Sequence, residues 1–136
     1  MSVLGASGRM GSQIIKRVNE SPDIDLNYVV EHKGHNWIGQ DCGKKLLGRE
    51  NNIIVTDDLN LAVSSADAVI DFSTPDNSLE CLKICTHTNT AHIIGTTGFD
   101  SSQESKINEY AKKVVVVKAG NMSLGINILT LSLIHI

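Results

Sequence analysis

The chain has 136 residues, 41% of them hydrophobic and 20% charged, with a formal net charge of −3. That is one domain's worth of chain, long enough to bury a core and short for a two-domain enzyme. The absence of a basic run argues against nucleic acid as a partner. No apolar stretch approaches the ~18 residues of a membrane span and no charged-then-apolar leader is present, so no membrane partner and a cytoplasmic location are expected.

Ser2 to Gly11 joins a short apolar run to three glycines spaced three apart, Gly5, Gly8 and Gly11. This pattern predicts a strand that ends in a phosphate-binding turn and enters a helix. Gly5 would permit the tight turn, Gly8 the approach of backbone N–H groups to a pyrophosphate, and Gly11 the close packing of helix on sheet. The spacing is Gly-x-x-Gly-x-x-Gly, and an ordinary turn would explain the glycines equally well on their own. Context favours the anion site. Met10, Ile14, Ile15 and Val18 follow at helical spacing, Asn19-Glu20-Ser21-Pro22 stops the helix, and Leu26 to Glu31 supplies a second strand. Glu31 closes that strand twenty positions after Gly11, where a carboxylate can accept hydrogen bonds from an adenosine ribose.

His32 to Asn52 carries Gly34, Gly39, Gly43 and Gly48 with little apolar periodicity, and reads as a long loop. His32 and Lys33 follow the acid directly. They are either a positive group for the 2′-phosphate of NADP or solvated loop charges, while Glu31 suits the free ribose of NAD and Arg9 suits phosphate. Cofactor preference is therefore mixed. The five histidines show no metal-ligand spacing, and all but His32 are expected to be surface or packing residues. No metal site is expected. Cys42, Cys81 and Cys85 lack paired Cys-x-x-Cys spacing and read as reduced, buried thiols, with Cys81 and Cys85 on one helix face.

Further strands are predicted at Asn52–Thr56, Asp67–Phe72, Ala91–Ile94 and Val114–Val117, the last as another buried strand. Between them fall a brief helix capped at Asp57-Asp58, a helix opened by Ser73-Thr74-Pro75, and a helix over about Ser101 to Lys113 with Ile107, Tyr110 and Ala111 inward. Leu124 to Leu131 also looks helical. The alternation argues for a parallel α/β sheet with helices on both faces. The strand ends at Gly5, Glu31, Ser73, Gly95 and Ala119 should then share one edge and form one site.

Four motifs in order, Gly-Ala-Ser-Gly-Arg-Met-Gly, Asp-Phe-Ser-Thr-Pro, Gly-Thr-Thr-Gly-Phe-Asp and Asn-Met-Ser-Leu-Gly-Ile-Asn, carry a family resemblance over about residues 3 to 128. The chain resembles 4-hydroxy-tetrahydrodipicolinate reductase, also called dihydrodipicolinate reductase. The resemblance implies a Rossmann-type doubly wound sheet and hydride transfer from NADPH or NADH to a cyclic dicarboxylate. The reaction would serve lysine biosynthesis by the diaminopimelate route, in a cytoplasmic homotetramer. Carried over by position, Gly5, Ala6, Ser7, Gly8, Arg9, Met10 and Gly11 would line the pyrophosphate, and Glu31 and His32 the adenosine ribose. Gly95, Thr96 and Thr97 would lie by the nicotinamide, with Thr97 also reaching a substrate carboxylate. Ala119, Gly120, Asn121 and Met122 would close the nicotinamide side.

Departures from the family accompany these matches. The His-His-x-x-Lys and Ser-Gly-Thr segments of the family's substrate domain are absent from these 136 residues, and no His, Lys or Tyr here is identifiable as a proton donor. No catalytic residue is therefore assigned, and no turnover by this chain alone is expected. Residues 1–128 read as the dinucleotide-binding domain, with its first strand clipped at Met1 and weakened by its shortness. Residues 129–136 read as the start of a helix cut short. Leu131 to Ile136 does not continue the pattern, and the expectation is a partial gene product, with a foreign tail as one origin of those six residues. Two further readings are an aspartate or homoserine dehydrogenase relative and a non-catalytic nucleotide-binding module, since one fold hosts many functions.

Overall fold

β-Branched runs and amphipathic segments alternate along the chain, and the computed structural model, which describes residues 1–119, converts them into a layered α/β unit. The strands are β1 (Ser2–Leu4), β2 (Tyr28–Val30), β3 (Val55–Thr56), β4 (Ala68–Asp71), β5 (Ala91–Ile94) and β6 (Val116–Lys118). The helices are α1 (Arg9–Glu20), α2 (Cys42–Leu46), α3 (Leu59–Ser64), α4 (Pro75–Thr88) and α5 (Ser101–Tyr110). Every pairing between these strands is parallel, and the sheet order is β3-β2-β1-β4-β5-β6. The order reverses between β1 and β4, so the chain leaves the ends of those two strands in opposite directions. A crevice opens there.

Burial explains why β1 is central. Its apolar residues alternate between faces, Leu4 toward the layer holding α3, α4 and α5, Val3 toward the layer holding α1 and α2, and both are fully buried. One core gathers Leu4, Val30, Val69, Leu82, Ile94 and Ile107. The other gathers Val3, Ala6, Ile15, Val29, Cys42 and Val55, and draws nothing from β4, β5 or β6. At three residues β1 is shorter than the usual ~5–6. Two contacts support it. The Met1 carbonyl accepts the Asn27 N–H at 2.7 Å, and Ser2 Oγ, fully buried, donates to the Ala62 carbonyl at 2.7 Å.

Side-chain caps set most helix starts. Asp58 accepts the Leu61 N–H at 2.9 Å and opens α3, while Thr74 precedes Pro75 at the head of α4. On α5 the cap is reciprocal: Gln103 N–H donates to Asp100 Oδ1 at 2.8 Å and Asp100 N–H donates to Gln103 Oε1 at 2.9 Å. Replacing Asp100→Ala should lower stability by about 1 kcal/mol. Thermal melts of the two proteins check this, and equal midpoints would remove the cap from the account.

The fold departs from the sequence expectation in four places. The loop after Glu31 contains α2, whose cap Asp41 accepts N–H groups from Lys44, Asn51 and Asn52 and so pins both ends of the segment. β6 is an edge strand and not a buried one: Val116 packs on the first core, but Val115 is 67% and Val117 50% exposed on the opposite face, which no described helix covers beside β6. α5 ends at Tyr110, which leaves Ala111 exposed. Met10 is 49% exposed at the head of α1, and Ile15 and Val18 carry that helix's core contact. The helix expected over Leu124 to Leu131 lies outside the described residues.

Candidate functional site

The β1–α1 turn sits at the crevice, and its glycines are fixed by backbone geometry. Gly5 adopts φ +76°, a left-handed conformation that favours glycine, and its N–H donates to the Val30 carbonyl at 3.0 Å. A Cβ on Gly11 would overlap the Gly5 carbonyl oxygen and lie 2.8 Å from its carbon. Helix and turn can meet at this distance only with glycine. Gly8 is the N-cap of α1 and brings no side chain to the first-turn N–H groups, so those donors remain free for an anion at the positive end of the helix dipole.

Glu31 reaches the same turn from the end of β2. Its side chain is only 6% exposed overall, and Oε1 accepts the Ser7 N–H at 2.6 Å while Oε2 accepts the His32 N–H at 3.3 Å. The acid is thereby locked beside the glycine turn. A cleft of ≈ 510 Å³ opens over these groups, bounded by Gly8, Glu31 and His32 on one side and Phe72, Ser73 and Asn77 on the other. A second hollow of ≈ 270 Å³, lined by Met10, Gly95 and Thr97, shares Gly8, Phe72 and Ser73 with the first. One groove therefore runs from Glu31 across the glycine turn to Thr97. The donor and acceptor groups along it suit an extended dinucleotide, and a Cβ on Gly8 would crowd the turn at 3.2 Å from the Gly5 oxygen.

Beneath the Thr97 end lies a largely buried polar network. Asp71 and His92 are both fully buried, with Asp71 Oδ2 accepting from His92 Nε2 at 3.1 Å. Asp71 Oδ1 accepts the Ser73 N–H at 3.0 Å, the Ser73 hydroxyl at 2.5 Å and the Thr96 hydroxyl at 3.3 Å. Burial alone would push the Asp71 carboxyl up, but hydrogen bonds from His92 and Ser73 outweigh it and hold the group below the ordinary 3.8. Ser78 Oγ approaches the same carboxylate without completing a well-formed bond. The network ties the turn after β4 to the turn after β5, both of which line the groove.

Of the residues expected at the site, Gly5, Ser7, Gly8, Arg9, Met10 and Gly11 line the groove, as do Glu31 and His32. Ala6 is fully buried in the core and offers the groove no side chain. Gly95, Thr96 and Thr97 line the second hollow, but the Thr96 hydroxyl is engaged with Asp71 and only Thr97 is exposed. Ala119 ends the described chain; Gly120, Asn121 and Met122 lie outside the described residues. His35, expected to be a surface or packing residue, packs edge to face on His32 at 5.0 Å. Ser73 and Asn77 also belong to the groove wall. The Ser73-Thr74-Pro75 turn pointed to the first of them, and Asn77 is found only by following α4 one turn further.

Cys81 and Cys85 share one face of α4 with sulfurs 4.0 Å apart, close to His92. The contact with Cys85, with burial, pushes the Cys81 thiol far up, so Cys81 packs as a neutral thiol. Burial, with the neighbouring Asp41 carboxylate, likewise pushes the Cys42 thiol to about 11. The expectation of reduced, buried cysteines is met.

Sheet order, the glycine turn at the switch point and the acid closing β2 define the Rossmann class of α/β domains. Within that class, residues 1–122 match the family described as "Dihydrodipicolinate reductase, N-terminus", and the chain belongs to it. It is 42% identical over 127 residues to 4-hydroxy-tetrahydrodipicolinate reductase of Ruegeria sp. (strain TM1040), covering 93% of this chain and 47% of that protein. The enzyme of the same name from Ralstonia pickettii (strain 12J) is 41% identical, with 93% of this chain and 48% of that protein covered. The chain thus spans about half the length of these relatives. Among solved structures, dipicolinate-bound dihydrodipicolinate reductase from Paenisporosarcina sp. TG-14 superposes with a TM-score of 0.61 at 23% identity, over 81% of this chain and 42% of that one. Amine dehydrogenase from Mycobacterium smegmatis gives a TM-score of 0.67 at 17% identity, over 85% and 37%. These two likenesses establish the shared fold.

Proposed function

We propose that this chain is the dinucleotide-binding part, residues 1–128, of an enzyme that reduces 4-hydroxy-tetrahydrodipicolinate to tetrahydrodipicolinate with NADPH or NADH, on the diaminopimelate route to lysine. The observation that carries the reading is the Glu31 carboxylate held 2.6 Å from the Ser7 N–H, at the mouth of an uncapped helix and at the sheet's switch point. Gly5 to Gly11 would hold the pyrophosphate, Glu31 the adenosine ribose, and the rim from Gly95 to Thr97 the nicotinamide. Thr97, the exposed hydroxyl at that end, would also meet a substrate carboxylate. Ala119 to Met122 would close the nicotinamide side. The dinucleotide would supply the hydride; this chain's residues bind and orient it.

Most dicarboxylate contacts and the proton transfer belong, on this reading, to further chain in a cytoplasmic homotetramer, and these 136 residues by themselves do not turn over. Titration of the chain with NADPH and NADH, followed by nucleotide fluorescence beside a thermal melt, tests the assignment. Saturable binding should raise the melting temperature. Gly8→Asp, which places a carboxylate where the pyrophosphate would sit, should weaken binding at least about 100-fold by adding like charge at an anion site. It should lower the nucleotide-free melt only modestly, because Gly8 is exposed and its Cβ would meet only the Gly5 carbonyl oxygen, at 3.2 Å. A cooperative melt indifferent to both nucleotides would overturn the assignment, as would reduction of substrate by this chain alone for the division of labour.

A further inference from the structure

The ribose end of the groove holds more than an acid. A Glu31 oxygen, a His32 nitrogen and a His35 nitrogen lie within 4.8 Å of one another, and His32 lines the cleft beside Glu31. The tautomers of the two rings follow from their backbone partners. His32 Nδ1 lies 3.1 Å from the Lys33 carbonyl, which can only accept, so Nδ1 carries the hydrogen and Nε2 of the neutral ring is a bare lone pair. His35 Nδ1 accepts the Trp37 N–H at 3.1 Å, which puts the hydrogen of its neutral ring on Nε2. His35 in turn stands edge-on between His32 at 5.0 Å and Trp37 at 5.6 Å, fixing the His32 ring.

A ribose 2′-hydroxyl and a 2′-phosphate make opposite demands on this cluster. The hydroxyl can donate to Glu31 or to His32 Nε2 and meets acceptors it can use. A phosphate is acceptor-only and anionic, and would face the Glu31 carboxylate and the His32 lone pair together. At the His32 contact itself it can be held only when Nε2 takes up a proton and becomes a charged donor.

Resting on the dinucleotide reading above, we infer that His32 is the cofactor-selectivity residue, with His35 as its positioning residue: NADH binds without proton exchange, and NADPH binding draws one proton from solvent onto His32. The other charged groups around the cluster are Lys33 on its own loop, Arg9 on α1, and Asp76 and Glu80 on α4. Asp57 follows β3, whose Thr56 carbonyl accepts the Glu31 N–H. None of these is an imidazole, the side chain whose charge ordinarily changes near neutrality.

The test is a titration of this chain with each nucleotide between pH 7 and 9, a window above the second ionisation of a phosphate monoester at about 6. The NADPH dissociation constant should rise by up to about tenfold per pH unit while that of NADH stays flat. Calorimetry in two buffers of different ionisation enthalpy should read uptake of about one proton with NADPH and none with NADH. His32→Arg, which fixes the charge, should bind NADPH more tightly and without pH dependence, and His32→Gln should bind it weakly and without pH dependence. His35→Ala should keep the slope and weaken NADPH more than NADH. Parallel pH profiles for the two nucleotides in the unmodified chain, or equal proton uptake, would overturn the coupling and leave the dinucleotide assignment standing. Failure to bind either nucleotide would overturn both.

Discussion

Gly11→Ala is expected to destabilise the chain by about 3 kcal/mol, against a total of about 5–15 kcal/mol for an ordinary domain. The reason is the backbone. A Cβ at position 11 would overlap the Gly5 carbonyl oxygen, lie 2.8 Å from the Gly5 carbon and stand 3.2 Å from the Ala6 Cα. Those atoms cannot retreat: Gly5 is fixed by its φ of +76° and its hydrogen bond to Val30, and Ala6 is fully buried against Ile15 and Val29. The helix would have to lift off the sheet, which opens the core under Ile15 and displaces the N–H groups at the head of α1. Gly95→Ala offers a matched comparison. Its Cβ would collide with the Phe72 ring, 2.7 Å from Cδ1 and closer to the outer ring atoms, but that ring is half-exposed and can swing toward the groove. The loss there should be about 1 kcal/mol. Urea unfolding of the three proteins gives both differences directly. Finding Gly11→Ala no less stable than Gly95→Ala would mean that the turn and helix are not locked together as described.

Features that depend on local covalent geometry were legible before any fold was known. Gly5, Gly8 and Gly11 are constrained by a turn only seven residues long, and Glu31 falls at the end of a strand whose start and stop are both marked. Features that depend on who sits next to whom were not. Four valines from Val114 to Val117 look alike whether one face of the sheet is covered or both, and only the packing of described helices on the Val116 side alone leaves Val115 and Val117 in water. α2 is five residues long, too short to leave a periodic signal, and owes its place to Asp41 gathering N–H groups from positions 44, 51 and 52. His35 carried no sign of its role because its partners come from Trp37 and His32 through a loop with no repeating period. Thr96 could have been read correctly. The alternation of β5, in which His92 and Ile94 point inward, continues for three residues past the strand, so Thr96 turns toward Asp71 and Thr97 toward the groove.

The same network that uses Thr96 gives the second large effect, a loss of about 3–5 kcal/mol on replacing Asp71→Asn. Asp71 presents acceptors on both sides, Oδ2 to His92 Nε2 and Oδ1 to the Ser73 N–H and the two hydroxyls. An asparagine has one acceptor and one donor, so its NH2 group faces either the Ser73 N–H or His92 Nε2, and the latter can accept only by shifting the ring hydrogen to the buried Nδ1, which has no partner. With both side chains fully buried, no water can repair the mismatch. The carboxylate also makes this stability pH-dependent. Its folded value lies below 3.8, so the native state favours the ionised form; the contribution is fully present above that value and is lost as pH falls through the lower, folded one. Thermal melts at pH 7, 5 and 3 should show the unmodified chain losing stability mainly in the last interval. The Asp71→Asn chain should be much weaker at pH 7 and should lose less on acidification. Ser73 and Thr96 line the groove, so the variant should also bind nucleotide more weakly even below its melting temperature. Unchanged binding in a folded Asp71→Asn chain would confine the network to stability and separate it from the shape of the Thr97 end of the groove.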